Sequence, residues 1–152
     1  MSKTNTRRWI GGLIAVCLAG AIGGCEQQDG TVVGPRGATM TSDDGRFTLE
    51  VPAGALAESV EITIDEVDCE PADAVDTCYE VGPVGLALLT PARVIYDVDT
   101  AMFDDFQTDD LALVGEGREA WSELADPRFE LLEGSVSASA VYLTSYALVV
   151  TR

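Results

Sequence analysis

The sequence predicts an all-β protein: an antiparallel β-sandwich preceded by a cleaved export signal. Three features carry that prediction. Apolar residues recur at alternate positions in short segments, the period of a strand with one buried face. Glycines and prolines fall between those segments, where turns are needed. Helical periodicity is weak, and the N-terminus runs from basic to apolar to small residues, the order of a signal peptide. A chain of 152 residues holds one domain of ordinary size.

Residues 1–8 are polar and basic, with Lys3, Arg7 and Arg8. Residues 9–23, "WIGGLIAVCLAGAIG", are apolar but short of the roughly 20 residues of a comfortable membrane span. "IGGC" follows, with Ile22, Gly23 and Gly24 before Cys25. An aliphatic residue, two small residues and a cysteine resemble the bacterial lipobox. The resemblance implies a lipoprotein signal peptide over 1–24, cut between Gly24 and Cys25. The Cys25 thiol then carries diacylglycerol and the new N-terminus an acyl chain. Two or three chains hold a protein on a membrane where one is marginal. "IAVC" around Cys17 is a poorer site, because branched Val16 precedes the cysteine in mid-run. Glu26 stands where an aspartate favours inner-membrane retention. The expected location is therefore the periplasmic face or surface of a Gram-negative outer membrane. Arg7-Arg8 loosely resembles a twin-arginine signal, and an ordinary basic segment is the simpler reading.

Export decides the remaining cysteines. Cys69 and Cys78 would sit in an oxidising compartment, separated by the polar "EPADAVDT", and are expected to form a disulfide worth roughly 2–3 kcal/mol. Zinc suits them poorly, since the chain has no histidine and two cysteines make half of a typical set. No cofactor beyond the lipid on Cys25 is expected.

Residues 25–30 read as the lipidated cysteine and a short polar tether, and residues 31–152 as the β-domain. "ATMTSDDGRFTLEVP" has a hairpin pattern, with Asp44-Gly45 as the turn. Phe47, Leu49 and Val51 alternate with polar residues until Pro52 ends the strand. "PAGAL" reads as a tight turn that tucks Leu56 inward. Val60, Ile62 and Ile64 share a face, as do Val94, Tyr96 and Val98 after a proline-punctuated segment. "LALVGEG" and "FELLEGSVSASAVYL" add strands, with the serines of "SVSAS" on an outer face. Residues 119–126, "EAWSELAD", suit either a turn or two of helix or a strand starting at Trp121. "YALVVT" is apolar and β-branched, fit for the middle of a sheet. Short strands separated by turns in this way argue for a sandwich.

In that order the segments resemble the ZU-five domains of ankyrins, netrin receptors and zona occludens protein. The similar stretches are "DGTVVGPRGATMTSDDGRFTLEVPAGALAESVEITI" at 29–64, "VGPVGLALLTPARVIYDVD" at 81–99, Trp121, and Tyr146-Ala147-Leu148. The resemblance spans nearly all of 29–150 and implies a non-catalytic β-sandwich for protein binding or mechanical linkage. Some relatives cut themselves at a histidine-phenylalanine-serine site; Tyr142, Leu143 and Thr144 stand there, without the histidine that would act as base. Thr144 then reads as an ordinary strand residue.

Charge narrows the partners. The chain has 26 acidic and 9 basic residues. Lys3, Arg7 and Arg8 would leave with the signal, so six cations would face 26 carboxylates, a net −20. Nucleic acid is excluded as a partner, because binding it needs cationic groups to displace counterions. Residues 97–110, "DVDTAMFDDFQTDD", suggest calcium, with Asp97, Asp99, Asp104 and Asp105 as weak candidates. An EF-hand starting at Asp97 fails, having Met102 for the required glycine and Thr108 for the required glutamate. A solvated acidic loop over Phe103 or Phe106 is the simpler reading. Without histidine no Ser/His/Asp triad exists. The expected function is a lipid-anchored envelope protein whose β-domain binds another envelope or exported protein. The alternatives are a calcium-dependent adhesion or structural module and, further off, a small carboxylate hydrolase. Nothing in the sequence sets an oligomeric state.

Overall fold

The structure, a computed structural model, describes residues 30–101 and 106–151. Strands fill most of it, and among the described residues the helical element is one 3-10 turn at Thr108–Asp110. The strands are β1 (Thr31–Val33), β2 (Ala38–Thr41), β3 (Phe47–Val51), β4 (Val60–Val67), β5 (Cys78–Gly82) and β6 (Ala87–Asp97). After them come β7 (Leu111–Glu116), β8 (Trp121–Glu123), β9 (Ala125–Glu130), β10 (Ser135–Tyr142) and β11 (Ser145–Val150). They form two antiparallel sheets packed face to face, ordered β1-β4-β5-β11-β7-β8 and β2-β3-β6-β10-β9. The architecture is a β-sandwich.

The alternation of each strand decides what fills it. Phe47, Leu49, Val51, Val94, Tyr96, Val136 and Ala138 face inward from one sheet. Ile62, Val81, Leu113, Tyr146 and Leu148 meet them from the other, with Val60 and Ile64 packed beside them. Phe47 is fully buried and lies among three tyrosines. Its ring centroid is 4.9 Å from Tyr79, 5.2 Å from Tyr96 and 5.9 Å from Tyr146. The Tyr96 hydroxyl donates to the Tyr146 carbonyl at 2.7 Å, which satisfies a buried polar group and ties the two sheets together.

The turn residues work as their chemistry dictates. Gly45 takes φ +76°, and the Ser42 N–H donates to the Phe47 carbonyl at 2.8 Å, closing the Asp44-Gly45 hairpin. Leu56 is buried after its "PAGAL" turn. Pro91 lies inside β6, where it has no N–H to offer the ladder. The ladder is interrupted there: Ala87 pairs with Tyr142, and pairing resumes at Ala92 with Ala140. Residues 119–126 make strand rather than helix, β8 in one sheet and β9 in the other, with the Leu124 N–H donating to the Leu113 carbonyl between them. Trp121 packs on an apolar strip of Val114, Ala147 and Val149 outside the six-stranded sheet.

Antiparallel connectivity sends alternate loops to opposite ends, and the charge divides with them. The described loops at one end carry Asp43, Asp44, Asp68, Glu70, Asp73, Asp76, Asp99, Asp109, Asp110 and Glu133, against Arg46 alone. At the other end Arg36 and Arg118 balance Glu58 and Glu119. One end of the sandwich is strongly acidic and the other close to neutral. β1 runs antiparallel to β4, so Thr31 lies toward the acidic end and Val33 toward the neutral one.

Candidate functional site

Three connections meet at the neutral end. The β5–β6 loop follows the cis Gly82–Pro83 peptide and turns at Gly85, which has φ +86°. The Gly85 N–H donates to the Leu143 carbonyl at 2.7 Å, and the Leu143 N–H donates to the Leu86 carbonyl at 2.9 Å. These two bonds hold the β10–β11 link against the β5–β6 loop. The β7–β8 turn completes the set, closed by the Gly117 N–H on the Ala120 carbonyl at 2.9 Å.

Between them lies a groove of about 480 Å³, lined by Val84, Gly85, Ala87, Glu116, Gly117, Arg118, Tyr142 and Thr144. A smaller hollow of about 210 Å³ shares Tyr142 and Thr144 and continues past Leu124, Val141 and Ser139. The larger volume falls in the range of small-ligand pockets, about 300–1,000 Å³. Its floor is fixed by hydrogen bonds. The Thr144 hydroxyl donates to the Glu116 carbonyl at 2.8 Å, the Ser145 hydroxyl to Glu116 Oε2 at 2.7 Å, and the Tyr146 hydroxyl to the Tyr142 carbonyl at 2.7 Å. Gly117 allows the turn to sit close, since a side chain there would meet the Ala120 carbonyl at 2.7 Å. The Arg118 guanidinium is exposed and has no ion pair or hydrogen bond among the described residues. The Tyr142 hydroxyl also has no hydrogen-bond partner among them. The groove therefore offers a cation and a phenol beside an apolar wall.

Thr144 is not a strand residue, contrary to the sequence expectation. It lies in the two-residue link between β10 and β11, and its side chain is turned in to cap the Glu116 carbonyl. Gly24 and Cys25 lie outside the described residues, as do Asp104 and Asp105. Asp97 ends β6 at the acidic end, and Asp99 Oδ1 accepts the Ala101 N–H at 2.9 Å, a local turn. Among the described residues no three His, Cys, Asp or Glu side chains gather as a metal site. The sulfurs of Cys69 and Cys78 are at disulfide distance, 2.06 Å apart. The sequence pattern did not single out Glu116 and Arg118: "LALVGEG" reads as a strand with a glycine turn, and Arg118 follows it as one exposed cation among several. Only the tertiary approach of residues 84, 116–118 and 142–144 makes them neighbours.

No protein-family model matches the chain, and no curated protein does.

The acidic end carries its own polar cluster, which ties the β2–β3 hairpin to the other sheet. Asp44 Oδ2 accepts the Tyr79 hydroxyl at 2.6 Å, and Oδ1 accepts the Ser42 hydroxyl at 2.5 Å and the Arg46 N–H at 3.1 Å. The Arg46 guanidinium pairs with Asp76, whose side chain is 7% exposed. Partial desolvation pulls the Asp44 pKa up, but its hydrogen bonds from Ser42, Tyr79 and the Arg46 N–H, with the Arg46 charge, together outweigh it and leave the carboxyl below its usual value. A carboxyl with a depressed folded-state pKa stabilises above its unfolded pKa and loses that contribution as pH falls through the folded value. Asp44→Asn should therefore lower the melting temperature at about pH 7, and the gap from the unmodified protein should close by about pH 2. Melting curves across that range check it. A gap that stays constant would show that the ionised carboxylate contributes nothing.

Proposed function

We propose that the protein is a lipid-anchored component of a Gram-negative cell envelope, held by Cys25, whose β-sandwich is a non-catalytic ZU-five-type domain for protein binding or scaffolding. The membrane is its partner through the anchor, and an envelope or exported protein is its partner through the domain. The observation that carries this reading is the order of the chain: a basic segment, an apolar run and "IGGC" stand directly before a compact β-sandwich. The groove at the neutral end supports binding, because the Thr144 hydroxyl and one Glu116 oxygen are committed to structural hydrogen bonds while Arg118 is free to meet a ligand.

Metabolic labelling with a fatty-acid analogue tests the anchor. The unmodified protein is expected to take up label and sediment with membranes. Cys25→Ala should lose the label completely and remain unprocessed. Equal labelling of Cys25→Ala would remove the lipid-anchor reading.

A further inference from the structure

We propose that the groove between the β5–β6 loop, the β7–β8 turn and the β10–β11 link binds the C-terminal end of a partner polypeptide, with an apolar side chain against Val84 and Ala87 and the terminal carboxylate at Arg118. This names the partner chemistry of the binding domain and so rests on that reading. The groove has an apolar wall and a short set of polar groups, and the polar set defines the ligand. Arg118 is unpaired among the described residues, and a guanidinium meets a carboxylate through two parallel N–H bonds. The Tyr142 hydroxyl lines the same space and adds a neutral donor. Glu116 also lines the groove, and the Ser145 hydroxyl holds one of its carboxylate oxygens in place. A C-terminal residue presents groups that match these: two carboxylate oxygens and an apolar side chain.

Shape and field agree with that occupant. The hollow past Tyr142 and Thr144 lengthens the groove toward Leu124 and Val141, which suits an extended chain rather than a compact molecule. Val84 and Val141 are 57% and 53% exposed, so the apolar contacts are open. A carboxylate is repelled by the acidic end of this sandwich, and the groove end is far less acidic: its loops hold Arg36 and Arg118 against Glu58 and Glu119, with Glu116 at the end of β7 beside Arg118. β1 begins at the acidic end, so the groove lies at the end of the sandwich opposite Thr31.

The test is an NMR titration of the full chain, solubilised in detergent. The probes are an N-acetylated tetrapeptide of alanine, valine and leucine with a free C-terminus and the same peptide amidated. The free acid is expected to shift the Gly85, Gly117 and Tyr142 amide signals. The amide should bind about tenfold more weakly, as should the free acid to Arg118→Gln, a loss of one ion-pair's worth of affinity. Arg118 is exposed, so the variant should keep the melting temperature of the unmodified protein. Equal binding of acid and amide, no effect of Arg118→Gln, shifts confined to another surface, or no shifts at all would each overturn the assignment. The titration does not depend on acylation. Its failure removes the groove assignment and leaves the anchored-domain reading to the Cys25 experiment.

Discussion

Phe47→Ala is expected to destabilise the sandwich by about 3–5 kcal/mol, the cost of deleting a fully buried aromatic ring and leaving a cavity. The ring stands between the sheets. It stacks on Tyr79 and Tyr146 and meets the edge of Tyr96, so its loss removes three aromatic contacts at once. All three tyrosines carry hydrogen bonds that join elements: Tyr79 to Asp44, Tyr96 to the Tyr146 carbonyl and Tyr146 to the Tyr142 carbonyl. The cavity cannot collapse without moving them. Domains of this size have roughly 5–15 kcal/mol in total, so the variant gives up a large share of its stability. A fall of roughly 10–20 °C in melting temperature should accompany the loss. Urea unfolding measures it directly. A loss below about 1 kcal/mol would mean that the inter-sheet packing at Phe47 is not what the geometry indicates.

Removing the Cys69–Cys78 link is the second large effect. The two residues are 9 apart in sequence, a loop whose closure is worth about 2.6 kcal/mol in the chain-entropy account. The bond also fixes a strap that completes the six-stranded sheet. Below the short β5–β11 pairing, Ala74 bridges to Val149. The Val75 N–H donates to the Leu148 carbonyl and the Val150 N–H to the Asp73 carbonyl, both at 3.0 Å. Asp76 in the same strap holds Arg46. The double variant Cys69→Ser/Cys78→Ala should melt lower than the unmodified protein. Reductant should lower the melting temperature of the unmodified protein and leave the variant unchanged. Hydrogen exchange should quicken at the Val75 and Val150 amides in the variant. An unchanged melt would show that the strap is held by its own contacts without the sulfur link.

The strands that bury one face were legible in the sequence. Phe47, Leu49 and Val51 alternate because the core accepts every second side chain, and β11 reads as apolar throughout because it is buried on both faces between β5 and β7. β9 was less legible. It carries Pro127, pairs with β10 alone and shows solvent almost every residue, so no alternation marks where it begins. Residues 119–126 left helix and strand open because β8 is three residues long, too short for either period to show. The choice of sheet for each strand was not readable either. β1 and β2 are consecutive yet lie in opposite sheets, as do β8 and β9, and only long-range packing decides that. The groove follows the same rule. Its cation and phenol, Arg118 and Tyr142, come from different segments of the chain, and no local spacing joins them.

The place of β11 bears on how such a chain is made. Its neighbours in the sheet are β5 and β7, so the centre of the six-stranded layer is supplied by the strand that follows all the others in sequence. A chain whose last strand has still to be made therefore lacks the middle of its larger sheet and the Tyr146 and Leu148 side chains that seal the core. Contacts this distant in sequence form slowly, since the intervening chain must first be ordered. The topology thus delays closure of the sandwich until β11 is free to pair, and the ten strands before it wait on the one that completes their core.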